Sequence, residues 1–371
     1  MQVENKRVSN FDIKHHFLEH IDSVLPYRKS DYRKVINLSS NELRNEKVTD
    51  LFKEFILKKS VSDIFAYPYP HDVEKKVAQH FGLPAESVLL SAGSDDAIKT
   101  IIQALAGKTK KMIIQTPNYE NYTVYGQLNN IQITPIEWYF DSDSFLQDLL
   151  TTIKASSQSL VVVTTPNGWT GRSLRFEELE KIVHLSKIHG HLVCVDLAYM
   201  SFSKLDYIPL LQEYSNLVFV YSFSKSMGLA GFRIGAVFSN ERIISYLKKW
   251  RTNNPINRFA LEFLDYCINR IEIIEKMQHE LIEARTKWEK NIVSLNMGVK
   301  PAKTETNFLL LQAQNTLICN QIIEWLYQHK IVVRSFPGDR HLKTAFRMTV
   351  PGAHESEKVL NCFREFKIER S

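Results

Sequence analysis

The chain has 371 residues, 44% hydrophobic and 24% charged, a balance that excludes fibrous and disordered classes and leaves room for two domains around an enclosed ligand. Lys and Arg number 47 against 41 Asp and Glu, a formal charge of +6; the clusters Lys108-Thr109-Lys110-Lys111 and Lys248-Lys249-Trp250-Arg251 read as solvated faces, an anionic ligand accounts for the mild excess, and no nucleic-acid partner is expected. Cys194, Cys267, Cys319 and Cys362 lie far apart without a Cys-x-x-Cys pair, so no metal site or disulfide framework is expected, and with no apolar run of about 18 residues or h-region behind Met1 the expectation is a cytoplasmic protein without a membrane partner.

From about residue 86, short β-branched runs alternate with helical patterns. The runs are Val88–Leu90, Lys111–Ile114, Ile131–Ile133, Leu160–Val163, Leu192–Val195 and Leu217–Val220. Between them Asp95–Ala106, Ser144–Lys154 and Phe176–His189 repeat apolar residues at helical spacing, which predicts a doubly wound α/β layer with a mostly parallel sheet. After Trp250 the pattern changes to long charged helices over 259–291, then Asn307–Leu311, a helix around Gln321–His329 and two more strand-like runs, a smaller α+β domain. The expected division is a leading segment over 1–40 that joins the small domain, a large domain over 41–250 and a small domain over 251–371.

Candidate functional residues fall where strands stop, the place at which open parallel sheets bind ligands. Gly93-Ser94-Asp95-Asp96-Ala97 opens a helix whose free N–H groups suit a phosphate, although any helix start looks like this. Tyr119 ends the next strand segment and reads equally as a core tyrosine. Asp196 follows Leu192–Val195 directly, with Tyr199 three residues on; by itself Asp196 reads equally as a strand-end cap. Residues Ser222-Phe223-Ser224-Lys225-Ser226-Met227-Gly228-Leu229-Ala230-Gly231-Phe232-Arg233 set a lysine between hydroxyls on a glycine-bearing turn, with an arginine eight positions on. A lysine that joins a phosphorylated aldehyde as a Schiff base needs a dry pocket, hydroxyl donors and a fixed cation, and this segment offers all of them.

The lysine loop closely resembles that of the fold-type I pyridoxal-phosphate (PLP) enzymes, the class I/II aminotransferases, and the resemblance, over roughly residues 25 to 350, is strongest to the histidinol-phosphate aminotransferase-like subgroup with relatives such as threonine-phosphate decarboxylase. It implies PLP as cofactor, Lys225 as Schiff-base lysine and proton carrier, Asp196 on the pyridine nitrogen, Tyr199 on the phenolic oxygen and Tyr119 stacked on the ring. It further implies Ser94, Asp95, Ser222, Ser224 and Arg233 around the phosphate, joined by Tyr67 from the other subunit of a homodimer that shares its active sites. Arg347, in Ala345-Phe346-Arg347-Met348-Thr349-Val350, matches the arginine that grips a substrate carboxylate or phosphate; Arg334, Asn41 and Tyr27 are further substrate-binding candidates, and Arg334 reads equally as a strand-end charge.

Two segments depart from the family pattern. Thr165-Pro166-Asn167-Gly168-Trp169-Thr170-Gly171 carries Gly168 where the family has the asparagine that bonds the phenolic oxygen, with Trp169 for proline, and Asn167 or Tyr199 is the candidate to compensate. Asn41-Glu42-Leu43 keeps two residues of Asn-Glu-Asn. Histidinol-phosphate-type transamination of an amino acid or derived amine is the expected reaction. The departures keep open a lyase or cyclase acting on a hydroxylated guanidino amino acid, similar to capreomycidine-type synthases, and a decarboxylase of the same fold. A contrasting class, an effector-sensing regulator, would need an added DNA-binding region before the match at Pro26-Tyr27.

Overall fold

The structure, a computed structural model, describes residues 34–43, 45–60, 65–139 and 144–368. In chain order the elements are β1 (Ile36–Asn37), α1 (Glu46–Leu57), α2 (His71–His80), β2 (Val88–Ser91), α3 (Gly93–Ile101), β3 (Lys111–Thr116), α4 (Glu120–Leu128), β4 (Gln132–Glu137), α5 (Phe145–Ala155), β5 (Leu160–Thr164), α6 (Phe176–Ile188), β6 (Leu192–Asp196) and α7 (Leu210–Glu213). They continue with β7 (Leu217–Ser222), α8 (Phe223–Ser226), β8 (Gly235–Ser239), α9 (Glu241–Lys248), α10 (Arg258–Ile268), α11 (Ile271–Leu295), β9 (Val299–Pro301), β10 (Phe308–Ala313), α12 (Thr316–Gln328), β11 (Ile331–Val332), β12 (Arg334–Ser335), β13 (Ala345–Thr349) and α13 (Ala353–Ile368).

The central layer is a seven-stranded sheet in the order β2-β8-β7-β6-β5-β3-β4. Strands β3 to β7 run parallel, whereas β8 returns antiparallel between β2 and β7. Every residue of β5, β7 and β8 is buried, because helices cover both faces and leave no solvated side for an alternating pattern. Pro135 is tolerated in β4 because that strand is the sheet's edge. The mostly parallel layer is therefore as expected, with one reversed strand, Gly235–Ser239.

A four-stranded antiparallel sheet, β12-β13-β10-β9, forms the second layer, packed on α11, α12 and α13. The short parallel pair β1–β11 ties the leading segment to it, and Thr349 N donates to Leu38 O at 2.8 Å. Two hydrophobic cores bear on the expected changeover near residue 250. Ile256, Phe263, Leu264, Cys267, Ile274 and Met277 all belong to the core beneath the seven-stranded sheet, while Trp288, Ile292 and Leu295 belong to the core of the small one. We place the changeover inside α11, where one continuous amphipathic helix passes from one core to the other.

One ion pair fixes the start of the large sheet. Glu74, on α2, accepts from Leu90 N at 3.0 Å and from Arg251 Nη1 at 2.9 Å, with side-chain exposures of 4% and 19% for Glu74 and Arg251. Removing one partner strands a buried charge. Glu74→Ala is expected to lower unfolding stability by about 3–5 kcal/mol in chemical denaturation. Lys53→Ala, at the exposed Lys53–Asp50 pair, should move it by less than about 1 kcal/mol.

Candidate active site

The carboxyl ends of β3, β5, β6 and β7 converge on one cleft. Asp196 is the last residue of β6, and Lys225 lies in the single-turn α8 directly after β7. Between β7 and β8 the chain turns through positive φ at Gly228 (74°) and Arg233 (54°), and this turn points the Arg233 side chain back at α3. Arg233 Nη2 lies 3.0 Å from Asp95 Oδ2, and Asp95 Oδ1 accepts from Asn121 Nδ2 at 3.0 Å. The Asp95 carboxylate therefore orients the guanidinium, and what Asp95 offers an anion is its backbone N–H.

Two glycines make room for that anion cradle. A methyl on Gly235 would lie 2.5 Å from Gly93 C and Ser94 N, and one on Gly93, at φ +81°, would lie 2.8 Å from Arg233 Nη2. The cap position Ala92 leaves the first N–H groups of α3 without a side-chain acceptor. Those N–H groups and the Arg233 guanidinium therefore adjoin one place suited to a phosphate, with Ser222 on the neighbouring strand opposite Gly235. The donor set fits the phosphate of PLP.

Asp196 is buried at the floor of the cleft. Its Oδ1 accepts from Ala198 N at 3.0 Å and its Oδ2 from Tyr122 Oη at 3.2 Å, yet burial outweighs both and pushes the carboxyl up to about 6. Tyr122 is a functional residue that sequence reasoning missed. It lies three residues beyond Tyr119 on α4, the spacing that puts two side chains on one helical face, and that spacing was the available signal. Tyr119 itself is partly exposed at the helix start, its hydroxyl accepting from Asn121 Nδ2 at 3.2 Å.

Tyr199 is buried and its phenol is pushed up from the ordinary tyrosine value by that burial. Its hydroxyl accepts from Asn41 Nδ2 at 2.8 Å. Gly168 lies against the ring: a methyl there would sit 3.0 Å from Tyr199 Cε2, so the glycine is the residue that lets this tyrosine stand where it does. Asn167 does not face the cleft with a spare acceptor; its Oδ1 takes Trp169 N (2.8 Å) and Thr170 N (2.9 Å), and its Nδ2 donates to Pro117 O at 2.8 Å. Its side chain braces the loop. Trp169 turns outward onto Phe336 of the small layer, ring centroids 5.0 Å apart.

The small layer closes the cleft. Arg347 donates to Gly168 O and, at 2.9 Å, to Ser39 O, stands 5.1 Å from the Phe308 ring centroid, and keeps a buried Nε without a hydrogen-bond partner. Burial lowers its pKa to about 10, which leaves it charged at neutral pH. Lys225 Nζ donates to Ser40 O at 2.8 Å. Residues 39 to 41 thus touch Arg347, Lys225 and Tyr199 in succession. Arg334 pairs with Glu120 at 3.1 Å at the rim. Tyr67 stands 76% exposed, and Tyr27 lies outside the described residues.

The raised carboxyl has a signed consequence for stability. The folded-state value of about 6 lies above the unfolded one of about 3.9, so the contribution of Asp196 is intact below pH 4 and is lost as pH rises through 6. In cofactor-free protein Asp196→Asn is expected to raise stability at pH 7.5 by up to about 3 kcal/mol and to change it little at pH 4. Tyr122→Phe removes a donor to the charged form and should move the midpoint of that loss to higher pH. Denaturant melts across pH 4–8 check both; a flat difference between Asp196→Asn and the parent would contradict the assignment.

The sequence profile of the family described as aminotransferase class I and II matches residues 33–364. A histidinol-phosphate aminotransferase of Thermoanaerobacter sp. (strain X514) is 26% identical over 348 residues, covering 93% of this chain and 94% of that protein. Among solved structures, histidinol-phosphate aminotransferase from Sinorhizobium meliloti in complex with pyridoxal-5'-phosphate superposes with a TM-score of 0.82 at 19% identity, over 96% of this chain and 98% of that one. L-threonine-O-3-phosphate decarboxylase from Porphyromonas gingivalis does so with a TM-score of 0.73 at 19% identity, over 90% of this chain and 99% of that one. With the profile spanning nearly the whole chain and the cleft suited to PLP, the chain belongs to the class I and II aminotransferase family, as a PLP-dependent enzyme of fold type I.

Proposed function

We propose that this aminotransferase moves an amino group between an anion-bearing primary amine of the histidinol-phosphate type and a 2-oxo acid. One observation carries the reading. Ser39 O holds Arg347 and the next carbonyl, Ser40 O, holds Lys225, so the anion-reading guanidinium and the proton-carrying amine face one cleft a single residue apart along the same strap. The orphaned Arg347 Nε supports an anionic guest, because a buried donor without a partner is costly until something accepts from it. The relatives' names supply the first substrate to try.

PLP, when bound, supplies an electron sink for the pair left as a substrate's Cα–H bond breaks. The chain's own residues do the rest. Lys225 Nζ would take the proton from that carbon and deliver it to the cofactor's own carbon, at the end of a flexible four-carbon stem tethered to Ser40. Asp196 would hold a proton on the ring nitrogen, gaining the counter-charge that its burial lacks. Tyr199, fixed by Asn41 and Gly168, would donate to the phenolic oxygen, Tyr119 would lie against the ring, and Ser94, Ser222, Ser224 and Arg233 would hold the phosphate. Arg347 would orient the substrate by its anion.

A homodimer supports this site: Phe65, Tyr67 and Tyr69 are 84%, 76% and 77% exposed in a row, an aromatic surface suited to a second copy whose site Tyr67 would reach. Light scattering is expected to give twice the chain mass, 86 kDa from 43.1 kDa per chain. The reaction is tested by mixing PLP-loaded protein with histidinol phosphate and following the cofactor spectrum. One equivalent should convert and stall until a 2-oxo acid is added, and Arg347→Ala should raise KM by on the order of a hundredfold, the cost of a lost charged contact. Repeated turnover with loss of water or carbon dioxide and no oxo-acid requirement would replace transfer with the lyase or decarboxylase reading.

A further inference from the structure

Arg334 and Arg347 are direct partners across the β12–β13 pair, so their side chains leave the same face of the small sheet. Like charges so placed repel each other unless something answers each of them. Arg347 is answered by the carbonyls of Ser39 and Gly168 and by the Phe308 ring. For Arg334 the partner is Glu120, the first residue of α4 and the neighbour of Tyr119, which reaches from the large layer to the small one. The two side chains of this pair are 47% and 56% exposed, and a pair so wet is weak and readily exchanged. Both charges also act on Arg347, Glu120 raising its pKa and Arg334 lowering it, so the three groups form one electrostatic cluster.

We propose that Glu120 is a specificity-determining residue: a built-in counter-ion that occupies Arg334 and admits a substrate anion to this second guanidinium only by being displaced. A monoanionic carboxylate is satisfied in bidentate fashion by Arg347 alone and leaves the Glu120–Arg334 pair closed. A dianionic phosphate draws on both guanidiniums and brings its charge against the Glu120 carboxylate, a juxtaposition that works against binding. Glu120 therefore lowers affinity for phosphate-bearing amines relative to carboxylate-bearing ones. This deepens the proposed function and rests on Arg347 as the reader of the substrate's anion.

Histidinol phosphate and histidine are suitable probes, because they share a side chain and an amine and differ in a phosphate ester against a carboxylate. Half-saturation of the change in the bound cofactor's visible absorption is measured for each, in the PLP-loaded parent, Glu120→Gln and Glu120→Asp, whether or not turnover follows. Glu120→Gln is expected to improve histidinol phosphate relative to histidine by about tenfold, on the order of 1.4 kcal/mol. Glu120→Asp should keep the parent ratio, and raising salt should shrink the difference between parent and Glu120→Gln, because an exposed charge is screened. A ratio unchanged within about twofold in Glu120→Gln overturns the inference. Arg347→Ala separates the two claims: if it binds both probes as the parent does, the anion site itself is wrong, whereas weakened binding there with an unchanged ratio in Glu120→Gln sinks only the role of Glu120.

Discussion

A carboxylate buried at the end of β6 is the constraint on which the site depends. Asp196 sits where desolvation penalises its charge, and the two donors given to it, Ala198 N and Tyr122 Oη, do not offset that penalty. A buried ionisable group of this kind either neutralises itself or finds a cation. Under the proposed function that cation would be the protonated ring nitrogen of PLP, and the same burial that strains the cofactor-free chain would become an attraction with the ring in place. Tyr122 sharpens this arrangement. By donating to Oδ2 it holds the carboxylate in one orientation, and it belongs to the helix that begins beside Tyr119, so one element carries both residues.

The strap at residues 38 to 41 connects this charge site to the small layer. Leu38 O accepts from Thr349 N, Asn41 N donates to Thr349 Oγ1 at 3.0 Å, and Asn307 Nδ2 donates to Asn41 O at 3.0 Å. Asn41 adopts a positive φ of 54°, a conformation asparagine tolerates better than most residues, and this turn brings its amide to Tyr199. A second tie runs through the loop at 165–172. A methyl on Gly171 would collide with Thr304 Oγ1 at 2.2 Å, and Trp169 packs on Phe336, so the loop that carries Gly168 is clamped between the layers. Gly168 thereby serves two neighbours at once: its missing side chain leaves space for the Tyr199 ring, and its carbonyl holds Arg347.

What the sequence made legible was local. The hydroxyl–lysine–glycine loop, the alternation of β-branched runs with helical stretches and the acid at a strand end each occupy a short window, and each pointed to the cleft. What stayed hidden depends on partners far apart in the chain. Asn41 meets Tyr199 across 158 residues and Arg347 meets Ser39 across 308. Tyr122 reads as an ordinary helix aromatic until Asp196 is set beside it. Asn167, a candidate to compensate for the missing asparagine, spends its Oδ1 on its own loop and donates from Nδ2 to Pro117 O, a partner 50 residues away. The antiparallel direction of Gly235–Ser239 follows the turn at Gly228 and Arg233 and is not written in its apolar residues. The passage from one core to the other inside α11 left no break in composition, since a single amphipathic helix serves both.

The central claim is that Lys225, and no other lysine, bonds the cofactor in this cleft. It is tested most directly by loading the protein with PLP, reducing it with borohydride, digesting it and locating the added phosphopyridoxyl mass by tandem mass spectrometry. Stoichiometric modification of Lys225 is expected in the peptide that spans Ser222 to Arg233. A label spread over surface lysines such as Lys53, or no label after reconstitution, would contradict it.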